Sequence, residues 1–248
     1  RKIRYLNKKF LVSFLIIIIL LIIVSVFSLA KGSVYVSNED IWLAIFKQGD
    51  EINQIIIWEL RLPRLICSLL VGSSLGMSGA LLQGMLKNGL ASPYLLGISA
   101  GSGLVIVFFI SFGLLQSFIP FAAWLGAILT TLIVFTLSKD GNKIVVERLV
   151  LGGVAISSLF GAIQATLLLQ VEDGRIQAAL NWLIGSLNAR GWEEINFTAL
   201  PILMALSFGL FLSRQLNLLS LGDELSMSLG NSLFRSRCLI GAVATLLT

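Results

Sequence analysis

The feature that most constrains this chain is a set of long stretches without a single charge, at 10–30, 65–86, 88–138, 149–171 and 195–213. About 20 apolar residues carry an α-helix across the hydrocarbon core of a bilayer. Four of these runs are each one span, and the run 88–138 is long enough for two, broken near Pro120. Six complete spans are therefore expected. Composition agrees, because only 12% of residues are charged, against about 25% in soluble domains. A last apolar run, 238–248, is too short to cross and stops without a flanking charge, so part of a seventh helix is expected there. With Arg1 rather than Met at the start, a longer native protein is also expected. The fold class is an all-α polytopic membrane protein, a single transmembrane domain over 1–248, with no soluble domain.

Within 61–103 the apolar sequence is seeded with Gly, Ser and Ala. Gly72, Gly76, Ala80 and Gly84 recur every four positions and share one helix face, a groove that lets another backbone approach closely. These four are the expected helix-packing residues.

Lys and Arg in short loops set orientation. With the N-terminus in the cytoplasm, twelve of the eighteen basic residues fall inside, Lys87, Lys139, Lys143, Arg148, Arg214, Arg235 and Arg237 among them. Nine of the thirteen acids, including Glu39, Asp50, Glu59, Glu172, Asp173 and Glu194, fall outside. The net charge of +5 thus reflects topology rather than nucleic-acid binding. The segment 10–30 exceeds the 7–15 apolar residues of a secretory signal core and reads as a retained first helix. Two cysteines, Cys67 and Cys238, supply no disulfide framework. The uncharged segment 176–189 is too short for a comfortable span and reads as an external interfacial helix, with Trp182 and Trp192 suited to the membrane boundary.

Residue types exclude several chemistries. The chain has no His, hence no HExxH zinc site, Ser-His-Asp triad or imidazole relay, and no Gly-Lys pair, hence no Walker A phosphate cradle. No expected span carries a charge near its centre, where proton- or ion-coupled transporters keep one. The loop after the sixth span is more informative. Asp223 and Glu224 suit the first turn of a short helix, Gly230 suits a left-handed C-cap, and Leu221, Leu225 and Leu229 form one apolar stripe. That stripe either packs on the chain's own helix ends or docks a soluble partner.

Taken in order, these segments resemble the FecCD-type permeases of ABC importers for iron-siderophore complexes, haem and vitamin B12. The resemblance rests on RLPR at 61–64, Val71 through Gln83, Asn88 through Gly101, LGGVAIS at 151–157, WLIGS at 182–186, Trp192-Glu193, and the loop elements LNLL at 216–219, Leu221-Gly222 and SLG at 228–230. Gly89 and Ser92 depart from the family's usual Pro and acidic residue in the turn after the second helix. The resemblance implies ten helices per permease, a second permease subunit (identical or related), two cytoplasmic ATP-binding subunits that hold ATP and Mg, and an extracytoplasmic substrate-binding protein or lipoprotein. It implies a bacterial cytoplasmic membrane location and no catalytic residue or cofactor on this chain. By the same resemblance, Arg61 and Arg64 dock the binding protein. Leu221, Gly222, Asp223, Glu224, Leu225, Ser228, Leu229 and Gly230 couple to the ATPase, and Gly153, Ser157, Ser158 and Gly161 line the translocation pathway. A metal chelate, with ferric siderophore favoured, is the implied cargo. The competing class is a secondary transporter or channel that needs no ATPase.

Overall fold

The computed structural model describes residues 2–32, 34–114, 116–141, 143–171, 173–188 and 190–248. Arg1, Glu172 and Ala189, which enter the charge count and the 176–189 segment, lie outside the described residues. In chain order the helices are α1 (Lys2–Ala30), α2 (Asn38–Ile45), α3 (Glu51–Ile55) and α4 (Leu62–Leu86), the last two joined without interruption by a π-helical turn, Ile56–Arg61. A 3₁₀ turn at Pro93–Leu96 precedes α5 (Ile98–Ser111), and another at Gln116–Phe118 precedes α6 (Ile119–Leu137). A two-residue hairpin, β1 (Lys139–Asp140) with β2 (Lys143–Ile144), leads to α7 (Val146–Leu168), α8 (Asp173–Ile184) and α9 (Trp192–Phe211). Three helices close the chain: α10 (Ser213–Ser220), α11 (Asp223–Ser228) and α12 (Leu233–Leu246).

Among the described residues five helical stretches are long and apolar enough to cross a membrane: Lys8–Ala30, Glu51–Leu86, Ile119–Leu137, Val146–Leu168 and Trp192–Phe211. The remaining expected span is the shorter α5, of 14 residues, which at 1.5 Å per residue reaches only about 21 Å. The difference arises at 88–97, where charge-free sequence forms an irregular connection instead of helix. Pro93 opens the 3₁₀ turn and Gly97, at φ +76, closes it. Non-helical backbone of this kind is tolerated at membrane depth where protein covers it, and α7 supplies the cover. The break near Pro120 falls where expected, with Pro120 in the first turn of α6. The last helix begins at Leu233, five residues before the apolar run, and so takes in Arg235 and Arg237.

The chain groups into two compact units, residues 1–69 with 187–198 and residues 70–186 with 199–248. In the first, Val36, Ile41, Ala44, Ile56 and Ile57 form a small core. The Trp58 indole donates to Ala44 O at 2.9 Å, and the Trp192 indole donates to Trp58 O at 2.8 Å. In the second, the main core gathers Leu81, Leu82 and Met85 of α4 with Leu149, Leu219 and Ile240, all almost fully buried.

Hydroxyls hold the second unit's helices together. Ser78 donates to Ala244 O at 3.0 Å, and the Thr131 and Thr245 hydroxyls share a 2.9 Å bond. Interhelical bonds of this type are worth about 0.6 kcal/mol each in membranes. Helices α5 and α6 meet through glycine, since a Cβ on Gly126 would stand 2.7 Å from Gly101 O. Near the far end of α5, Arg175 of α8 donates to Ser111 O at 3.1 Å.

Candidate functional site

The residues singled out in the sequence fall into four places. The first is the short helix α11. Gly222, at φ +112, turns the chain into it, and Asp223 and Glu224 occupy its first turn. At the other end Gly230 adopts φ +81, its N–H donates to Met227 O at 2.9 Å, and the Asn231 N–H donates to Ser226 O at 3.0 Å. This pair of bonds is the Schellman arrangement that a left-handed glycine permits. Leu221, Leu225 and Leu229 are 55%, 58% and 61% exposed, so none of them packs on the chain's own described residues; the expected single stripe is broken, because Leu221 caps the end of α10 and the Gly222 turn separates it from Leu225 of α11 and Leu229 at its C-cap.

Sequence reasoning missed what holds α11 in place. Arg237, only 2% exposed, donates through Nη2 to both Asp223 carboxylate oxygens at 2.9 and 3.0 Å, and through Nη1 to Ile144 O at 2.6 Å. The Lys87 ammonium lies 3.6 Å from the same carboxylate. At the opposite end of α11, Asn231 Nδ2 donates to the buried Ser226 Oγ at 2.8 Å, while Ser236 Oγ donates to Asn231 Oδ1 at 2.6 Å. A signal was present in the sequence. Leu233, Arg237, Ile240 and Ala244 repeat at helical spacing, and all four are buried, whereas Arg235, two positions from Arg237, is exposed.

The second place is α7, where the four expected pathway residues divide between two faces. Gly153 and Ser157 are buried against the Pro93–Leu96 turn. A Cβ on Gly153 would overlap Leu95 O and lie 2.8 Å from Leu96 Cα, and Ser157 Oγ donates to Tyr94 O at 3.1 Å. Ser158 and Gly161 are exposed, with open space around Gly161. The division follows from rotation, because Ser157 and Ser158 point about 100° apart on a helix.

The third place is the stripe on α4. Gly84 packs beneath the Leu216 side chain, but Gly72 and Gly76 face open space and Ala80 is exposed. Inside the second unit α4 packs through Ser74, Ser78, Leu81 and Met85. The glycine face lies about 200° around the helix from Ser78. The expected packing partner for Gly72, Gly76 and Ala80 is therefore absent among the described residues, because the serine hydroxyls and leucines hold the interior face.

The fourth place holds the two arginines, and they differ. Arg61 spends its guanidinium on the end of α1 and the loop beyond, donating to the Leu29, Ala30 and Val34 carbonyls. The first two are carbonyls that a helix C-terminus leaves without partners. Arg64 is exposed and has no hydrogen bond or ion pair among the described residues, and neither arginine pairs with Glu59.

Five helices among the described residues that are long and apolar enough to cross a membrane, with exposed leucines on and beside a firmly held short helix, mark out a membrane protein. The chain belongs to the FecCD transport family, whose profile matches residues 20–248. It is 34% identical over 238 residues to the Fe(3+)-citrate import system permease protein YfmE of Bacillus subtilis (strain 168), covering 94% of this chain and 70% of that protein. It is 31% identical over 246 residues to the ferric enterobactin transport system permease protein FepG of Escherichia coli (strain K12), covering 98% and 74%. Among solved structures it resembles a transporter described as of the metal-chelate ABC type, in an inward-facing conformation, with a TM-score of 0.78 and 30% identity over 92% of this chain and 70% of that one.

Proposed function

We propose that the chain is the permease subunit of a binding-protein-dependent ABC importer that carries a metal chelate, preferentially a ferric siderophore, into the bacterial cytoplasm by ATP-driven alternating access. The observation that carries this reading is the uncovered pair Leu225, on α11, and Leu229, at its C-cap, with Leu221 exposed at the end of α10, in a chain of the FecCD family. An apolar surface held in fixed orientation outside the spans requires a cover, and an ATP-binding subunit is the cover that fits. ATP and Mg then reside on that partner. A second permease subunit completes the pathway, and the ten-helix family plan supplies a further helix for the Gly72, Gly76 and Ala80 seam.

Bonds between loops support the topology. Lys87, Ile144, Asp223 and Arg237 meet in one cluster, and the charge pattern assigns all four to the cytoplasm. Arg175 and Ser111, also bonded, are both assigned to the outside. Outside, Arg64, which has no ion pair or hydrogen bond among the described residues, is offered to carboxylates of the binding protein, while Arg61 anchors the α1 end. On α7, Ser158 and Gly161 face the pathway, and Gly153 with Ser157 position the Pro93–Leu96 turn. A surface of hydroxyls and glycine gives a bulky chelate weak footing throughout, which favours passage over retention.

The test of this reading is complex formation. An ATPase bearing a Walker A motif should co-purify with the protein and hydrolyse ATP faster when the chelate-loaded binding protein is added. A protein that transports by itself, driven by an ion gradient, would defeat the proposal.

Two substitutions refine it. Arg64→Glu should weaken binding-protein docking at low salt by about fivefold, the ~1 kcal/mol of an exposed charge pair, with unchanged thermal stability; unaltered affinity removes Arg64 from the interface. Gly230→Arg should insert normally yet transport poorly. Space around Gly230 is open, so the cost is the positive φ, about 1–2 kcal/mol, which loosens the α11 cap. Normal ATP-dependent uptake by Gly230→Arg would show that this cap is not needed for coupling.

A further inference from the structure

We propose that Arg237 is a positioning residue that locks α11 to the β1–β2 hairpin and to α12, so that force arriving at the exposed leucines moves all three as one body. This rests on the reading that α11 docks the ATPase. The geometry carries it. Arg237 is buried, its two terminal nitrogens reach two different segments at 2.6–3.0 Å, and its Nε–H is buried with no acceptor among the described residues. Its hydrogen bonding is thus committed wholly to Asp223 and Ile144.

Two further observations make the mount stiff. Asp223 is gripped from a second side by Lys87, at the end of α4. The far end of α11 is tied to α12 by the Ser226, Asn231 and Ser236 relay. A helix of six residues has little rigidity of its own. Held at one end alone it would pivot under load, and motion of a docked partner would dissipate in that pivot. Held at both ends, it has no freedom that α12 lacks. A lysine at 237 keeps the charge but not the planar fork that spans two acceptors in fixed geometry.

The experiment uses the assembled transporter in proteoliposomes, comparing wild type with Arg237→Gln, Arg237→Lys and Asp223→Asn. Three quantities are read: ATPase affinity, ATP hydrolysed per chelate imported, and amide hydrogen exchange over residues 223–231. In the two Arg237 variants ATPase affinity should stay close to wild type, because Arg237 is buried away from the exposed leucines; Asp223→Asn, whose carboxylate is half-exposed beside them, is read by exchange and by the ATP-to-chelate ratio. ATP hydrolysed per chelate should rise about tenfold, within the usual range for coupling between sites. Exchange over 223–231 should speed up about tenfold as local opening becomes easier. Asp223→Asn keeps the shape of a half-exposed side chain, so it carries the test should Arg237→Gln fail to insert. Unchanged exchange would overturn the lock itself. Faster exchange with an unchanged ATP-to-chelate ratio would overturn its role in coupling. Wild type that binds no ATPase would instead overturn the functional reading, leaving the exchange result to decide the lock alone.

Discussion

Replacing Leu225 and Leu229 together by Glu should abolish ATPase association and ATP-driven uptake while leaving the protein inserted and folded. Both side chains are more than half exposed, so neither holds the chain's own core. On docking each would leave water, and burying a leucine contributes about 1.5–3 kcal/mol. The change removes that contribution twice and sets two carboxylates beside Asp223 and Glu224, in a surface that must be desolvated. A loss of 3 kcal/mol is already more than a hundredfold in affinity, and the double variant is expected to exceed it. Pull-down of the ATPase with purified variant protein reads the effect directly. Retained binding within a few fold would show that these leucines are not the docking surface.

Gly153→Val should produce the largest loss of folded protein, and Gly161→Val, eight positions along the same helix, should produce almost none. A Cβ at 153 meets backbone, the Leu95 carbonyl and Leu96 Cα, and backbone cannot rotate aside as a side-chain tip does. Either α7 retreats or the Pro93–Leu96 turn shifts, and both break the Ser157 bond to Tyr94 O. Overpacking commonly costs about 1–3 kcal/mol, and this contact lies at the upper end because neither partner yields. At Gly161 no described residue stands within 4 Å of the added carbon, so the fold is spared. There the expected defect is in transport, since a valine narrows the face that also carries Ser158. Thermal denaturation in detergent and chelate uptake separate the two cases. Equal melting temperatures for the variants would contradict the account of the turn, and normal uptake by Gly161→Val would remove that face from the pathway.

Charge-free runs revealed α1, α4, α6, α7 and α9, because membrane burial forbids charge over a length that only a helix economically spans. They said less about 88–97. Uncharged residues there serve a turn sheltered by protein as readily as a helix in lipid, and only Pro93 and Gly97 mark the difference. The start of α12 was misjudged for a related reason. Arg235 and Arg237 both read as loop charges, yet one is exposed and the other buried with a carboxylate, a distinction that helical phase carries and charge counting does not. Similarly, the four-residue period on α4 identified a seam but not what fills it. On that helix the interior face belongs to Ser74 and Ser78, whose hydroxyls are as compatible with close packing as glycine. The α11 helix was legible in full, from its acidic first turn to its glycine cap, because local capping rules specify it; the arginine that mounts it lies 14 residues away and was not.

Import is read directly as chelate uptake into proteoliposomes holding the protein with its ATP-binding subunit and a binding protein loaded with radiolabelled ferric siderophore. Uptake should require the ATPase, the loaded binding protein and ATP on the cytoplasmic side, with ATP hydrolysis stimulated by the loaded binding protein. Uptake that persists without the ATPase, driven by an ion gradient, would contradict the importer reading.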